Sequence, residues 1–267
     1  MAVFGTIGIF RKYTPIPSSA LAMLRALIGV VFLCIYCKTT GHKFDFKAAK
    51  QNAMYLIPSG IMMGFNWILL FEAYNYTSVA VATLCYYMAP VIVILLSPLL
   101  FREKLTTKGM AKAGIAIVGI AMVSGVIPSF EVSGPRGIEL GLGAAMLYAG
   151  VVCINKRATD IDGYTKTIVQ LLTAFVVILP YVLLTEDISA LEFSPVCITM
   201  VAILGIVHTG IAYALYFGSV SDIPAQKVAL LSYIDPVVAV LLSALFLQEP
   251  MSIWGWIGAV MVFLGML

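Results

Sequence analysis

The chain has 267 residues; 61% are hydrophobic, 11% are charged and the formal net charge is +3. A soluble domain of this size needs a polar shell, and a mean hydropathy of +1.03 leaves too few polar residues to build one. That excludes an ordinary cytosolic enzyme, a secreted disulfide scaffold, a disordered protein and a nucleic-acid binder. Apolar stretches of about 20 residues without period-two alternation exclude a β-barrel, so the expected fold class is an all-α polytopic membrane protein.

In chain order, residues 1–10 come first: apolar, but about half the length a span needs. No basic residue precedes them and Arg11 and Lys12 follow, which is the wrong flank for a secretory signal. The stretch reads as a first span lacking its beginning. Apolar stretches follow at 18–37, 53–73, 78–101, 107–127, 137–154, 164–185, 195–217, 224–247 and 251–267. The expectation is ten transmembrane helices with short loops and no room for a soluble catalytic domain.

With the N-terminus inside, twelve cations fall in the inner loops: Lys38, Lys43, Lys47, Lys50, Arg102, Lys104, Lys108, Lys112, Lys156, Arg157, Lys166 and Lys227. Three fall outside: Arg11, Lys12 and Arg136. The positive-inside rule then places both termini in the cytoplasm.

The chain also repeats. At a shift of 146 residues, Tyr87 meets Tyr233, Pro90 meets Pro236, Ser97 meets Ser243, Glu103 meets Glu249 and Gly119 meets Gly265, within 12 identities over the 36 pairs of 84–119 against 230–265. At a shift of 145, Gly5 meets Gly150 and Arg11-Lys12 meets Lys156-Arg157. Two units follow, 1–127 and 137–267, each of five spans. Five is odd, so the second copy enters the membrane upside down, an arrangement used for alternating access.

The chain resembles the EamA family of the drug/metabolite transporter superfamily. The resemblance rests on two copies of five spans, Gly5-Thr6-Ile7-Gly8-Ile9-Phe10-Arg11 in span one, Arg25 in Leu24-Arg25-Ala26-Leu27, Trp67 in span three, Pro90-x6-Ser97-x5-Glu103 in span four and Asp235-Pro236-x6-Ser243-x5-Glu249 in span nine. The family usually shows Glu before that second Pro. Asp235 keeps the charge with one methylene less. The resemblance implies transport of small polar metabolites, often amino acids or related compounds, frequently as export.

An ionisable group inside a span is paired, hydrated or protonated. Asp235, about 16 Å into its stretch at 1.5 Å per residue, is either a proton-coupling or substrate-amine site or a carboxyl held beside the Pro236 kink. Arg25 either holds a substrate carboxylate or snorkels to the outer surface. His208, between Gly205 and Gly210, is either a proton relay or a neutral ring bonded between helices. Asn66, Trp67, Tyr87, Tyr148, Asn155, Tyr213 and Tyr233 offer the flat faces and polar tips of a cavity wall, or of lipid-interface anchors. Tyr86 and Tyr87, adjacent on a helix, cannot share one face. Glu103 and Glu249 end their spans and suit the positive end of the next helix, a structural role, as do Pro90 and Pro236.

Gly60-x3-Gly64, Gly137-x3-Gly141, Gly109-x3-Ala113 and Gly255-x3-Ala259 suit close helix contact. That contact is either within one monomer or, through spans five and ten, in a homodimer. Cys34-x2-Cys37 lacks a second pair and reads as packing, so no metal is expected. There is no Walker A, G-x-G-x-x-G, G-x-S-x-G or H-E-x-x-H site, so no cofactor is expected and an ion gradient or counter-substrate must drive transport. The expected function is a secondary active transporter of small polar or zwitterionic metabolites in the plasma membrane, with protons as a candidate partner. A passive channel and a membrane-embedded lipid-modifying enzyme are the alternatives.

Overall fold

The computed structural model describes residues 2–101, 107–124, 127, 134–188, 191, 193–215, 234–249 and 251–266. Among them all regular structure is helical: α1 (Ala2–Gly5), α2 (Ile7–Lys12), α3 (Ser18–Thr40), α4 (Phe46–Gln51), α5 (Ala53–Tyr76), α6 (Val79–Tyr86), α7 (Ala89–Phe101), α8 (Thr107–Val123), α9 (Pro135–Asn155), α10 (Gly163–Thr185), α11 (Pro195–Leu215), α12 (Ile234–Phe246) and α13 (Ile253–Met266). Glu103 and Tyr233 lie outside the described residues.

Five of these helices, α3, α5, α9, α10 and α11, are long and apolar enough to cross a membrane. At 1.5 Å per residue they reach about 30 Å or more, the thickness of the hydrocarbon layer. The chain is therefore an integral membrane protein with several spans. The other apolar helices are shorter. Leu184, Leu245 and Ile253 point outward, largely exposed, as side chains do when lipid is the solvent.

Local chemistry sets the helix ends. Asp45, Ser78, Asp162 and Ser194 each accept the N3 backbone N–H of α4, α6, α10 and α11 with a side-chain oxygen. Gly41 closes α3 in the left-handed region at φ 78°. Gly134 holds φ 67° where a Cβ would stand 2.5 Å from the Tyr76 carbonyl oxygen, so only glycine fits.

Two expected spans are not continuous. The 1–10 stretch is two short helices divided at Thr6. The 78–101 stretch breaks after Tyr86 and resumes at Ala89. Pro90 explains the second break, because its ring removes a donor and clashes with the preceding turn, yet it sits easily in the first turn of α7.

Two packed cores result. One joins α3, α5, α10 and α11 around Leu21, Leu33, Phe71, Leu171, Ile178 and Leu204. The other joins α6, α8, α9, α12 and α13 around Leu84, Ala116, Ala145, Val240 and Val262. Small residues let the helices approach. Gly60 and Gly64 face Gln170, Thr173, Ala174 and Ile178 of α10, and Gly137 and Gly141 face Thr77, Ala82 and Cys85. In the α8–α13 pair, a Cβ on Gly119 would be 2.7 Å from the Gly258 carbonyl oxygen, and one on Gly258 would be 2.5 Å from that of Gly119. α8 and α13, the expected spans five and ten, thus use their small-residue faces on each other within one chain. Glycines 119, 258 and 265 make this contact; the atoms nearest a Cβ on Gly255 belong to its own turn, at Met251 and Ser252.

Candidate functional site

The candidate site gathers around the first span. Glycine at position 5 brings α1 against α12 so closely that a Cβ there would strike the Asp235 carbonyl oxygen. Asp235 is buried. Its Oδ2 accepts the Tyr87 hydroxyl at 3.0 Å, and its Oδ1 is buried without a partner among the described residues. Tyr87 stands in the break between α6 and α7, irregular backbone that membrane proteins accept where it is enclosed by protein or lines a cavity.

The next residue, Thr6, touches His208. Thr6 Oγ1 and His208 Nε2 are 2.7 Å apart, His208 Nδ1 is 3.2 Å from the Ile203 carbonyl oxygen, and Phe10 lies edge-on to the ring at 5.0 Å. Thr6 also donates to the Val3 carbonyl at 2.8 Å. A hydroxyl has one hydrogen. When it goes to Val3, Nε2 must carry the proton; when it goes to Nε2, the Val3 bond is lost. The protonation of His208 is thus tied to hydrogen bonding within the first span.

His208 lies in a π-helical segment, Ile203–Ile211, inside α11. Such wider turns recur at functional sites. The Thr209 hydroxyl donates to the Leu204 carbonyl five residues back and accepts from Arg25 Nε at 2.6 Å. The Arg25 guanidinium lies over Trp67 at 4.2 Å and near Phe71 at 5.7 Å. Only 3% of Arg25 is exposed, so its charge is turned inward against aromatic faces and does not snorkel.

The remaining candidates divide. Tyr213 stacks obliquely on Phe4 of α1 at 5.8 Å, close to this site. Tyr86 sits between Tyr87 at 5.7 Å and the partly exposed Tyr148 at 5.3 Å. Tyr86 packs against the first core and Tyr87 against the second, so the two adjacent residues face different ways. Asn66 is buried and donates to the Ala144 carbonyl, joining α5 to α9. Asn155 accepts from Gln170, which also donates to Ser59. Pro236 is buried beside Asp235, whereas Pro90 is exposed. Glu249 accepts the Val79 N–H at 2.8 Å and the Ser243 hydroxyl, and pairs with Lys12 at 3.3 Å. The helix N-terminus it caps is that of α6, not that of the helix following it in the chain.

Sequence reasoning missed Thr6, Thr209 and Gln170, and misjudged Arg11. Counted as an outer-loop cation, Arg11 is buried, donating to the Thr14 carbonyl and the Ser18 hydroxyl. Glu72 is legible in the sequence as an acid inside the apolar 53–73 stretch. A cavity of about 730 Å3 lies where α2, α3, α5 and α10 meet, with Arg11, Glu72 and Glu186 in its wall. Arg25, Trp67, Tyr87 and Asp235 do not line it.

Comparison with known proteins agrees with this architecture. A solved crystal structure superposes over 99% of this chain and 91% of its own, with a TM-score of 0.68 at 20% identity, which shows a shared fold. The chain is 30% identical over 270 residues to "Uncharacterized transporter YxxF" of Bacillus subtilis (strain 168), covering 100% of this chain and 85% of that protein. It is 28% identical over 208 residues to "Protein PecM" of Dickeya dadantii (strain 3937), covering 75% and 68%. An "Uncharacterized transporter" of Archaeoglobus fulgidus is 25% identical over 267 residues, covering 99% and 91%. The EamA-like transporter family matches twice, over residues 1–125 and 135–267. The chain belongs to the EamA-like transporter family.

Proposed function

We propose that the protein exports small polar or zwitterionic metabolites across the plasma membrane by alternating access, with both termini cytoplasmic and Asp235 coupling protonation to access. The carrying observation is that two ionisable residues, Asp235 through its backbone carbonyl and His208 through its ring, pack on adjacent residues of the expected first span, Gly5 and Thr6. A movement of that span changes the surroundings of both at once. Arg25, held by Thr209 and Trp67, offers a cation for a substrate carboxylate, and Tyr87 and Tyr213 supply polar and aromatic wall.

Two inverted halves, 1–127 and 137–267, fit the packing. At a shift of 145, α3 corresponds to α10 and α5 to α11. The α3–α11 contact is then the counterpart of α10–α5, and α3 and α10 pack on each other. A pseudo-two-fold axis would give that pattern. Membership in a transporter family sets the enzyme alternative aside.

The test is counterflow of labelled amino acids and related metabolites in proteoliposomes, with Asp235→Asn alongside wild type. Saturable counterflow supports a carrier; flux linear in concentration supports the channel instead. An Asp235→Asn variant that keeps counterflow but loses pH-driven uptake identifies the coupling carboxyl. Equal pH-driven uptake in the variant overturns that role.

A further inference from the structure

We propose that the cavity beside Arg11 is a second ligand site, distinct from the Arg25–Asp235 region, which binds the ammonium and carboxylate groups of a small zwitterion. Arg11 is 6% exposed, and each of its hydrogen bonds among the described residues goes to a neutral oxygen: Nη1 to the Thr14 carbonyl at 2.7 Å, Nη2 to the Ser18 hydroxyl at 3.0 Å and to Asn75 Oδ1 at a weak 3.4 Å. Its Nε is buried without a partner among the described residues. No carboxylate among the described residues lies within ion-pair distance of it. A buried guanidinium whose direct partners are neutral, with the nearest carboxylate, Glu72, acting on it only through space, keeps part of its desolvation cost, which an anion would offset.

The neighbouring acid is in the matching condition. Glu72 Oε2 accepts from Ser18 at 2.7 Å and from Asn75 at 3.1 Å. Ser18 thereby stands between Arg11 and Glu72 and keeps them from cancelling by direct contact. Glu186 adds a second carboxylate to the same wall, fixed through Oε1 by Ser19. The other two cations of the wall are engaged elsewhere: Lys12 pairs with Glu249 at 3.3 Å, and Arg136 lies over Tyr76 at 4.4 Å.

What remains is one anion receptor, Arg11, beside two ammonium receptors, Glu72 and Glu186. A simple anion would meet the two carboxylates and a simple amine would meet Arg11, so a molecule carrying both charges fits best. The volume of about 730 Å3 lies within the usual range of small-molecule sites. Ile68 and Leu69 line the cavity and directly follow Trp67, on which Arg25 lies. The site therefore adjoins the proposed transport site through α5.

Occupancy can be read without transport. Pro15 is exposed and lines the cavity. In a Cys34→Ser background, which removes the exposed native cysteine, Pro15→Cys is labelled with a membrane-impermeant maleimide on the full chain in proteoliposomes. Probes are millimolar L-valine, L-serine and L-phenylalanine, with isobutylamine and isovalerate as the single-charge counterparts of valine. Expected is severalfold slower labelling with at least one amino acid, little effect of either counterpart, and loss of protection in Glu72→Gln and in Arg11→Lys. Glu186→Gln serves where either variant elutes abnormally on size exclusion. The proposal is overturned if none of the amino acids protects, if isovalerate protects as well as valine, or if a folded Glu72→Gln is protected like wild type. Protection with no counterflow would sink the carrier reading and leave this site standing; counterflow with no protection would do the reverse.

Discussion

Tyr87 donates its hydroxyl to Asp235 Oδ2 across 3.0 Å, tying the break between α6 and α7 to α12, while the other carboxylate oxygen is buried without a partner among the described residues. A buried acceptor left unsatisfied is costly. On the proposed mechanism this oxygen receives a proton or a ligand ammonium, and movement of α1, which packs on the Asp235 backbone, changes its environment.

Removing the Tyr87 hydroxyl tests this pair. A hydrogen bond to a charged group contributes about 1.5–3 kcal/mol, so Tyr87→Phe is expected to slow pH-driven uptake by about tenfold or more. Uptake rates measured against pH in proteoliposomes check it. A variant matching wild type at every pH shows that the bond plays no part in coupling.

Arg25 and Trp67 are expected to be energetically coupled. A desolvated cation over an indole contributes about 2 kcal/mol. A double-mutant cycle of Arg25→Met and Trp67→Leu, read from unfolding in detergent, should give a coupling of about 1–2 kcal/mol. Arg25→Lys should recover little of it, because an ammonium lacks the planar group and the Nε donor to Thr209.

Two glycines of neighbouring helices should respond oppositely. A Cβ on Gly258 would stand 2.5 Å from the Gly119 carbonyl oxygen, backbone that cannot yield without moving α8. Gly258→Ala is expected to destabilise by about 1–3 kcal/mol. Gly114 of α8 has no described residue within 4 Å of its Cβ position, so Gly114→Ala should be neutral or stabilise by about 0.5–1 kcal/mol through helix propensity. Melting temperatures of the two variants decide it, and equal losses would contradict the α8–α13 contact.

Glu249 should matter more for its cap than for its ion pair. Glu249→Ala removes the acceptor of the Val79 N–H and of Ser243 and should cost about 1–2 kcal/mol. Glu249→Gln keeps an acceptor and should lose less. Lys12→Met removes only a partly exposed ion pair and should cost under about 1 kcal/mol. Thermal unfolding of the three variants in one detergent gives the order; Lys12→Met ranking worst would reverse it.

Much of the fold was legible because hydrophobic runs are a local property. The stretches at 18–37, 53–73, 137–154, 164–185 and 195–217 reappear as α3, α5, α9, α10 and α11, within a few residues at most ends. The break at Pro90 was less legible, because a proline marks where a helix is weak without saying whether neighbours hold it straight. The site was legible as residue types and not as partners. Asp235, His208 and Arg25 stand out as ionisable groups in apolar sequence, but nothing local says that Tyr87 meets the first, Thr6 the second and Thr209 the third. Arg11 was misplaced for the same reason: following ten mostly apolar residues, it reads as the start of a loop, and only the packing of α2 against α5 makes it interior.

Composition and apolar spacing by themselves determined that this protein lives in lipid, where its five long apolar helices lie among the described residues and which family it resembles, since burial in hydrocarbon depends on each segment's own residues. The tertiary structure alone decided which polar groups share an environment. Those contacts, Gly5 on Asp235, Thr6 on His208 and Ser18 between Arg11 and Glu72, join residues far apart in the chain, and only helix packing sets their distances.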